Sequence, residues 1–210
     1  MFRAICLVFM LGPAGALAQA DVVHRTQLQP GDRWVYHRMD YASKKVTGQR
    51  RLEVARADER AIQVLLGKDG ERDETYTAEW NAVATAGAVF HPHTGLLKFP
   101  LRVGDTWPVV YESEFGPTRS WRARHEHTAR VVGWEDVEVP AGKFRALKIE
   151  TEGEFRRLDT TRSGTARYRI WYVPEVKRWV KYVYEDDVVL GGPRGPNNRN
   201  GEELASFALR

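Results

Sequence analysis

From Arg33 onward, apolar and polar side chains alternate with a period of two, the signature of strands with one face turned to a core. Trp34, Tyr36 and Arg38 fall on one side, with Val35, His37, Met39 and Tyr41 on the other. The longest alternation covers residues 120–132. There Trp121, Ala123, His125, His127, Ala129 and Val131 share one face, and Arg122, Arg124, Glu126, Thr128 and Arg130 share the opposite one. Turn chemistry punctuates these runs. Arg56-Ala57-Asp58-Glu59 joins 50–55 to 60–66 as a hairpin, Asp69-Gly70 turns the chain into 75–80, and Pro140-Ala141-Gly142 separates 137–139 from 144–149. Pro174-Glu175-Val176-Lys177 joins 167–173 to 178–184, and a Gly/Pro/Asn-rich loop over 191–201 precedes a terminal strand near 204–209. Residues 78–88 hold enough helix formers for one short helix, although Asn81, Val83, Thr85 and Gly87 weaken it. The expected fold is all-β, a curled antiparallel sheet.

One short repeat stands out: Pro30-Gly31-Asp32-Arg33-Trp34 returns as Val103-Gly104-Asp105-Thr106-Trp107. Gly and Asp are generic turn residues, so the repeat reads as one way of starting a strand used twice, with a duplicated binding module as the alternative. No solenoid period is present.

The first twenty residues lie outside the fold. Met1-Phe2-Arg3, the apolar run 4–11 and the small-residue patterns Ala16-Leu17-Ala18 and Ala18-Gln19-Ala20 describe an export signal over 1–20, with cleavage expected after Ala20 and Ala18 as the alternative. The remaining residues, 21–210, are expected to form a single antiparallel β domain, periplasmic or secreted, with no membrane span. Cys6, the only cysteine, falls inside the signal, so the mature chain has no disulfide and no thiolate nucleophile or metal ligand. The formal net charge of +4 on 210 residues is mild, and basic residues are not gathered into a stripe, which argues against a nucleic-acid partner.

Taken together, the two Gly-Asp-x-Trp turns, Phe99-Pro100-Leu101, the stretch from Val137 through Pro140-Ala141-Gly142 to Phe144, and Trp171-Tyr172-Val173-Pro174-Glu175-Val176-Lys177-Arg178 resemble a family of secreted proteobacterial proteins of unknown function. The resemblance spans about residues 30–185. It implies a half-open barrel similar to the LolA/LolB lipoprotein-carrier architecture, placed in the bacterial envelope, and brings no catalytic residues with it.

The chemical inventory is thin. There is no G-x-S-x-G elbow and no phosphate-binding loop. Among the carboxylate pairs only Glu112 and Glu114 would share a strand face. His91-Pro92-His93 and His125-Glu126-His127 are two H-x-H pairs, and i, i+2 spacing on a strand presents two imidazoles to one side. Zinc or copper on His91, His93, His125 and His127, with metal-dependent hydrolysis, is therefore the alternative to a protein that needs no cofactor. The leading expectation is a non-catalytic envelope protein. It would bind a lipid or other apolar small molecule against strand-borne rings, Trp34, Tyr36, Trp121, Tyr168, Tyr172 and Tyr182, or an envelope protein along a sheet edge.

Overall fold

A computed structural model describes residues 22–66, 72–116, 121–189 and 198–210. The alternating segments are strands: β1 (Arg33–Asp40), β2 (Lys45–Ala57), β3 (Ala61–Leu66), β4 (Arg72–Thr77), β5 (Ala82–Thr85), β6 (Ala88–His91), β7 (Thr106–Phe115), β8 (Trp121–Val139), β9 (Gly142–Arg157), β10 (Ser163–Val173), β11 (Arg178–Val189) and β12 (Asn198–Ala208). Among the described residues the sole helical piece is a 3-10 turn over Pro174–Val176. The short helix expected at 78–88 is instead the β5–β6 hairpin with its approach from β4, because the β-branched residues and Gly87 favour extended backbone and a turn. The export signal and the Asp69-Gly70 turn lie outside the described residues, as does most of the 191–201 loop.

Consecutive strands pair antiparallel, and β1 also pairs β12 from Arg33↔Ala208 to Asp40↔Asn200, so the meander closes into a barrel. The curled sheet follows from the alternation. Its pairing runs full circle, which goes further than the half-open arrangement implied by the resemblance. Closure gives every strand a neighbour on both sides, although β5 and β6 cover only parts of β4 and β7.

In such a meander the connections alternate between ends. One end collects the turns after β2, β4, β8 and β10 together with the long connection 92–105. That connection closes the end, with Leu96, Leu97 and Leu101 buried. It is held by Asn81, whose amide donates to Leu97 O at 2.8 Å while its carbonyl accepts from Leu97 N at 2.9 Å. Trp107 Nε1 donates to Gly95 O at 2.9 Å, and Val23 pairs with Leu101. Trp34 and Tyr36, both at 0% exposure, fill the same end and donate to Val176 O and Trp179 O at 2.9 and 2.7 Å.

The repeated Gly-Asp turn has the same hydrogen bonds in both copies. The Asp32 and Asp105 carboxylates accept from Gln29 N and Arg102 N, each at 2.9 Å, and Gly31 and Gly104 donate to Val54 O and Val131 O on the adjacent strand. What differs is burial. Asp32 is fully buried and also accepts from Lys177 Nζ at 2.9 Å and Arg210 N at 2.7 Å, which ties the C-terminus to the closed end. Both copies need glycine, since Gly31 and Gly104 take φ of +89° and +91°, where a side chain would be strained. Asp32→Ala should therefore cost about 3 kcal/mol by leaving three part-buried donors without their shared acceptor, whereas Asp105→Ala should cost about 1 kcal/mol. Urea unfolding of the two variants checks this; equal losses would contradict it.

The outward positions carry charge. Across β7 to β12, Glu114–Arg122 (3.4 Å), Arg124–Glu126 (2.7 Å), Arg167–Glu152 (2.6 Å), Arg169–Glu185 (2.5 Å) and Arg199–Glu185 (2.5 Å) form a ladder of ion pairs. Each such surface pair contributes little to stability. Collectively they are the reverse of the apolar band a lipid-facing barrel needs. No helix among the described residues is long and apolar enough to cross a membrane.

Candidate functional site

With the core plug confined to one end, the other half of the barrel encloses a cavity of about 980 Å³. Inward-facing positions of many strands contribute to its wall. Phe90, Tyr111, Phe115 and Trp121 form one side as an edge-to-face series, with centroids 5.9 Å apart for Phe90–Tyr111, 6.1 Å for Phe90–Phe115 and 4.7 Å for Phe115–Trp121. Tyr168, Tyr182 and Tyr184 form the facing side, and Trp80, Trp179, Leu96 and Leu97 lie at the deep end. Trp179 and Tyr182 sit on opposite phases of a regular strand, yet both border the cavity. A register shift between Trp171 and Tyr172, which pairs Trp171 with Lys181 but Tyr172 with Trp179, re-phases β11 between them.

Of the six aromatic residues singled out in the sequence, Trp121, Tyr168 and Tyr182 line the cavity. Trp34, Tyr36 and Tyr172 are inward-facing but belong to the closed end. Tyr172 is fully buried, is bonded to Thr26 Oγ1 at 3.0 Å, and packs edge-on against Phe99. Burial raises the Tyr168 and Tyr172 phenols to about 12, so both are neutral hydrogen-bonding groups. On the outer face of β10, Trp171 is not a free patch: its indole donates to Glu135 at 2.9 Å, with Lys148 and Lys181 over the ring.

The wall also holds a charged cluster. Arg50 donates from Nη1 to Glu202 at 3.1 Å and from Nη2 to both Glu74 and the Tyr76 hydroxyl, the latter at 2.7 Å. Tyr76 in turn donates to Glu74 at 2.5 Å, and Trp179 Nε1 donates to Glu202 at 2.8 Å. Burial would push the Glu202 carboxyl up, but the Arg50 and Arg178 guanidinium groups and the Trp179 N–H hold it below the ordinary carboxylate range. Beneath the cavity Arg178, at 0% exposure, lies between the Trp179 and Trp80 rings at 3.9 and 4.0 Å, with Tyr76, Tyr36 and Trp34 completing the cage. Among the described residues its three side-chain nitrogens lack a well-formed hydrogen bond, and the Tyr36 hydroxyl lies within their electrostatic reach. This cluster was partly legible: Arg50 is in phase with Leu52 and Val54, Glu74 with Tyr76, and Glu202 with Leu204, so each charge falls on an apolar face. Arg178, the first residue of β11 directly after a turn, carries no such signal.

The histidine pairs do not come together. His91 is exposed, and His93 borders a surface recess with His24 and Arg60. His125 and His127 are buried inside the barrel. Among the described residues no group of three or more His, Cys, Asp or Glu side chains is placed to hold a metal ion. His125 stacks on Tyr111 at 4.4 Å, and its Nε2 meets Ser113 Oγ at 2.9 Å. The His127 ring occupies the side-chain space of Gly153, where a Cβ would lie 2.6 Å from His127 Cδ2. Burial, with His127 adding to it, lowers His125 to about 3, and burial lowers His127 to about 4. A Ser–His contact with so weak a base, around a serine at 0% exposure, lacks what a nucleophile needs.

Fold and site together define a closed antiparallel meander barrel, plugged at one end and hollow and aromatic at the other. Two solved structures are similar to this chain in fold: a candidate lipoprotein from Parabacteroides distasonis (13% identity, TM-score 0.53, covering 90% of this chain and 100% of that one) and a candidate exported protein with a YmcC-like fold from Bacteroides fragilis (14% identity, TM-score 0.52, covering 89% and 99%). No protein-family model and no curated protein sequence matches the chain.

Proposed function

We infer that this is an exported, non-catalytic envelope protein that takes an apolar or lipid-like ligand into the hollow half of its barrel. The observation carrying this reading is the cavity itself, about 980 Å³ and walled mainly by rings, at the upper end of the range for small-molecule sites. An apolar space of this size facing water invites an occupant, because filling it removes aromatic surface from solvent. Supporting evidence comes from the export-signal pattern of residues 1–20 and from the exported or lipoprotein character given to both structural neighbours.

Native mass spectrometry of protein purified from an envelope extract should find a co-purifying ligand. Thr47→Trp, placed at the cavity rim, should reduce that occupancy at least about fivefold while thermal stability stays within a few degrees of the parent. Protein that carries no ligand and gains no thermal stability on addition of hexadecanol would count against the reading.

A further inference from the structure

We propose that the ligand of this cavity is an anionic amphiphile, its carboxylate or phosphate head met at the rim by Arg38 and its apolar body lying along the aromatic wall. The proposal rests on the binding reading above and specifies its chemistry.

Arg38 is in phase with Trp34 and Tyr36 on β1 and borders the cavity, but unlike them it is exposed, near the open end of the strand. Its guanidinium has no ion pair or hydrogen bond with any described residue; the contacts of Arg38 are those of its backbone, in the strand ladders and from Thr47 Oγ1 to its carbonyl at 3.3 Å. The other charges on the described wall are committed to one another, Arg50 to Glu74 and Glu202, and Glu202 also to Trp179. Beneath the deep end Arg178 joins Arg50 in balancing the Glu74 and Glu202 carboxylates, and Asp186 beyond them is bonded to Tyr184 and Asn198, so the unpaired charge on the described wall is Arg38, near the open end.

Such an arrangement selects by charge. An anionic head at Arg38 gains a charge-assisted, planar contact and stays partly hydrated, so it avoids the penalty of burying a charge in the ringed interior. A neutral head gains no ion pair there, and a cationic head is repelled. The deep wall, with its charges already paired, is left to accept the apolar body.

Trp80, Trp121 and Trp179 border the cavity and supply a fluorescence signal for titration with hexadecanoate, hexadecyl phosphate, hexadecanol and hexadecyltrimethylammonium. Both anionic probes should bind about tenfold more tightly than hexadecanol, and the cationic probe more weakly than hexadecanol. In Arg38→Gln the anions should fall to the affinity of the alcohol, while Arg38→Lys should keep part of the preference. Equal affinity for acid and alcohol in the parent protein, or a preference that survives Arg38→Gln, would overturn the assignment of the head group and leave the cavity as a neutral apolar site. If none of the four probes binds, the binding reading itself fails along with it.

Discussion

Replacing Arg178 by methionine should destabilise the fold by about 3 to 5 kcal/mol, the range for removing one partner of a buried charge set. Volume is roughly kept, so the expected loss is electrostatic. Arg178 is fully enclosed by rings and is one of two buried guanidinium groups, with Arg50, that balance the buried carboxylates Glu74 and Glu202. Without it one carboxylate is left uncompensated in a low-dielectric wall, and the Trp80 and Trp179 rings lose a cation–π attraction worth about 2 kcal/mol when desolvated. The double variant Arg178→Met with Glu202→Gln should recover at least about 1 kcal/mol relative to the sum of the single changes, because the second substitution removes the unbalanced charge. Urea unfolding followed by circular dichroism measures both; an Arg178→Met midpoint equal to the parent's would show that the guanidinium is not a keystone of the closed end.

Acid should unfold the protein earlier than its carboxylates require. The folded values of His125 and His127, about 3 and about 4, lie below the 6.5 expected of an unfolded chain. The unfolded state therefore takes up protons first as pH falls. The stability due to keeping these rings neutral is complete above about pH 7 and is lost progressively below 6.5, down to the folded values. Each proton contributes a slope of about 1.4 kcal/mol per pH unit, so two give nearly 3 kcal/mol per unit between about pH 6 and pH 5. Glu202, held low by Arg50 and Arg178, adds its own loss only further down, below its unfolded value of 4.5. The interval from pH 6.5 to 5 thus isolates the histidines. Parent protein should show the full slope there, and a His125→Leu, His127→Leu double variant should show little of it. A parent stability that is flat across this interval would contradict the burial of the two neutral imidazoles.

Particular residues show how far the chain could be read without coordinates. The faces of β8 were fully legible: Ala123, His125, His127, Ala129 and Val131 are buried, and their neighbours Arg122 to Arg130 point outward. Side-chain direction in a strand depends on parity alone, and parity is visible in sequence. Residues 78–88 are ambiguous in sequence because helix formers outnumber breakers there, while the decisive interactions, β5 pairing with β4 and β6 pairing with β7, are remote from any local window. The aromatic residues divide between cavity and closed end for a related reason. Trp34, Tyr36 and Tyr172 do face inward as Trp121, Tyr168 and Tyr182 do, but parity says nothing about depth along the barrel.

What the amino-acid order alone determined is therefore local: an all-β chain, the inward and outward sets of its strands, and most of its turns, each governed by a few adjacent residues. Tertiary structure decided the rest. Closure depends on β1 meeting β12 across the whole length of the chain. Which end is solid depends on the 92–105 connection folding under the strands and on Arg178 being caged by rings from β1, from β4 with its turn into β5, and from β11. The division into plug and cavity is a property of register summed around the ring, because a shift such as that at Trp171/Tyr172 resets which side chains reach the hollow without changing the alternation that precedes it.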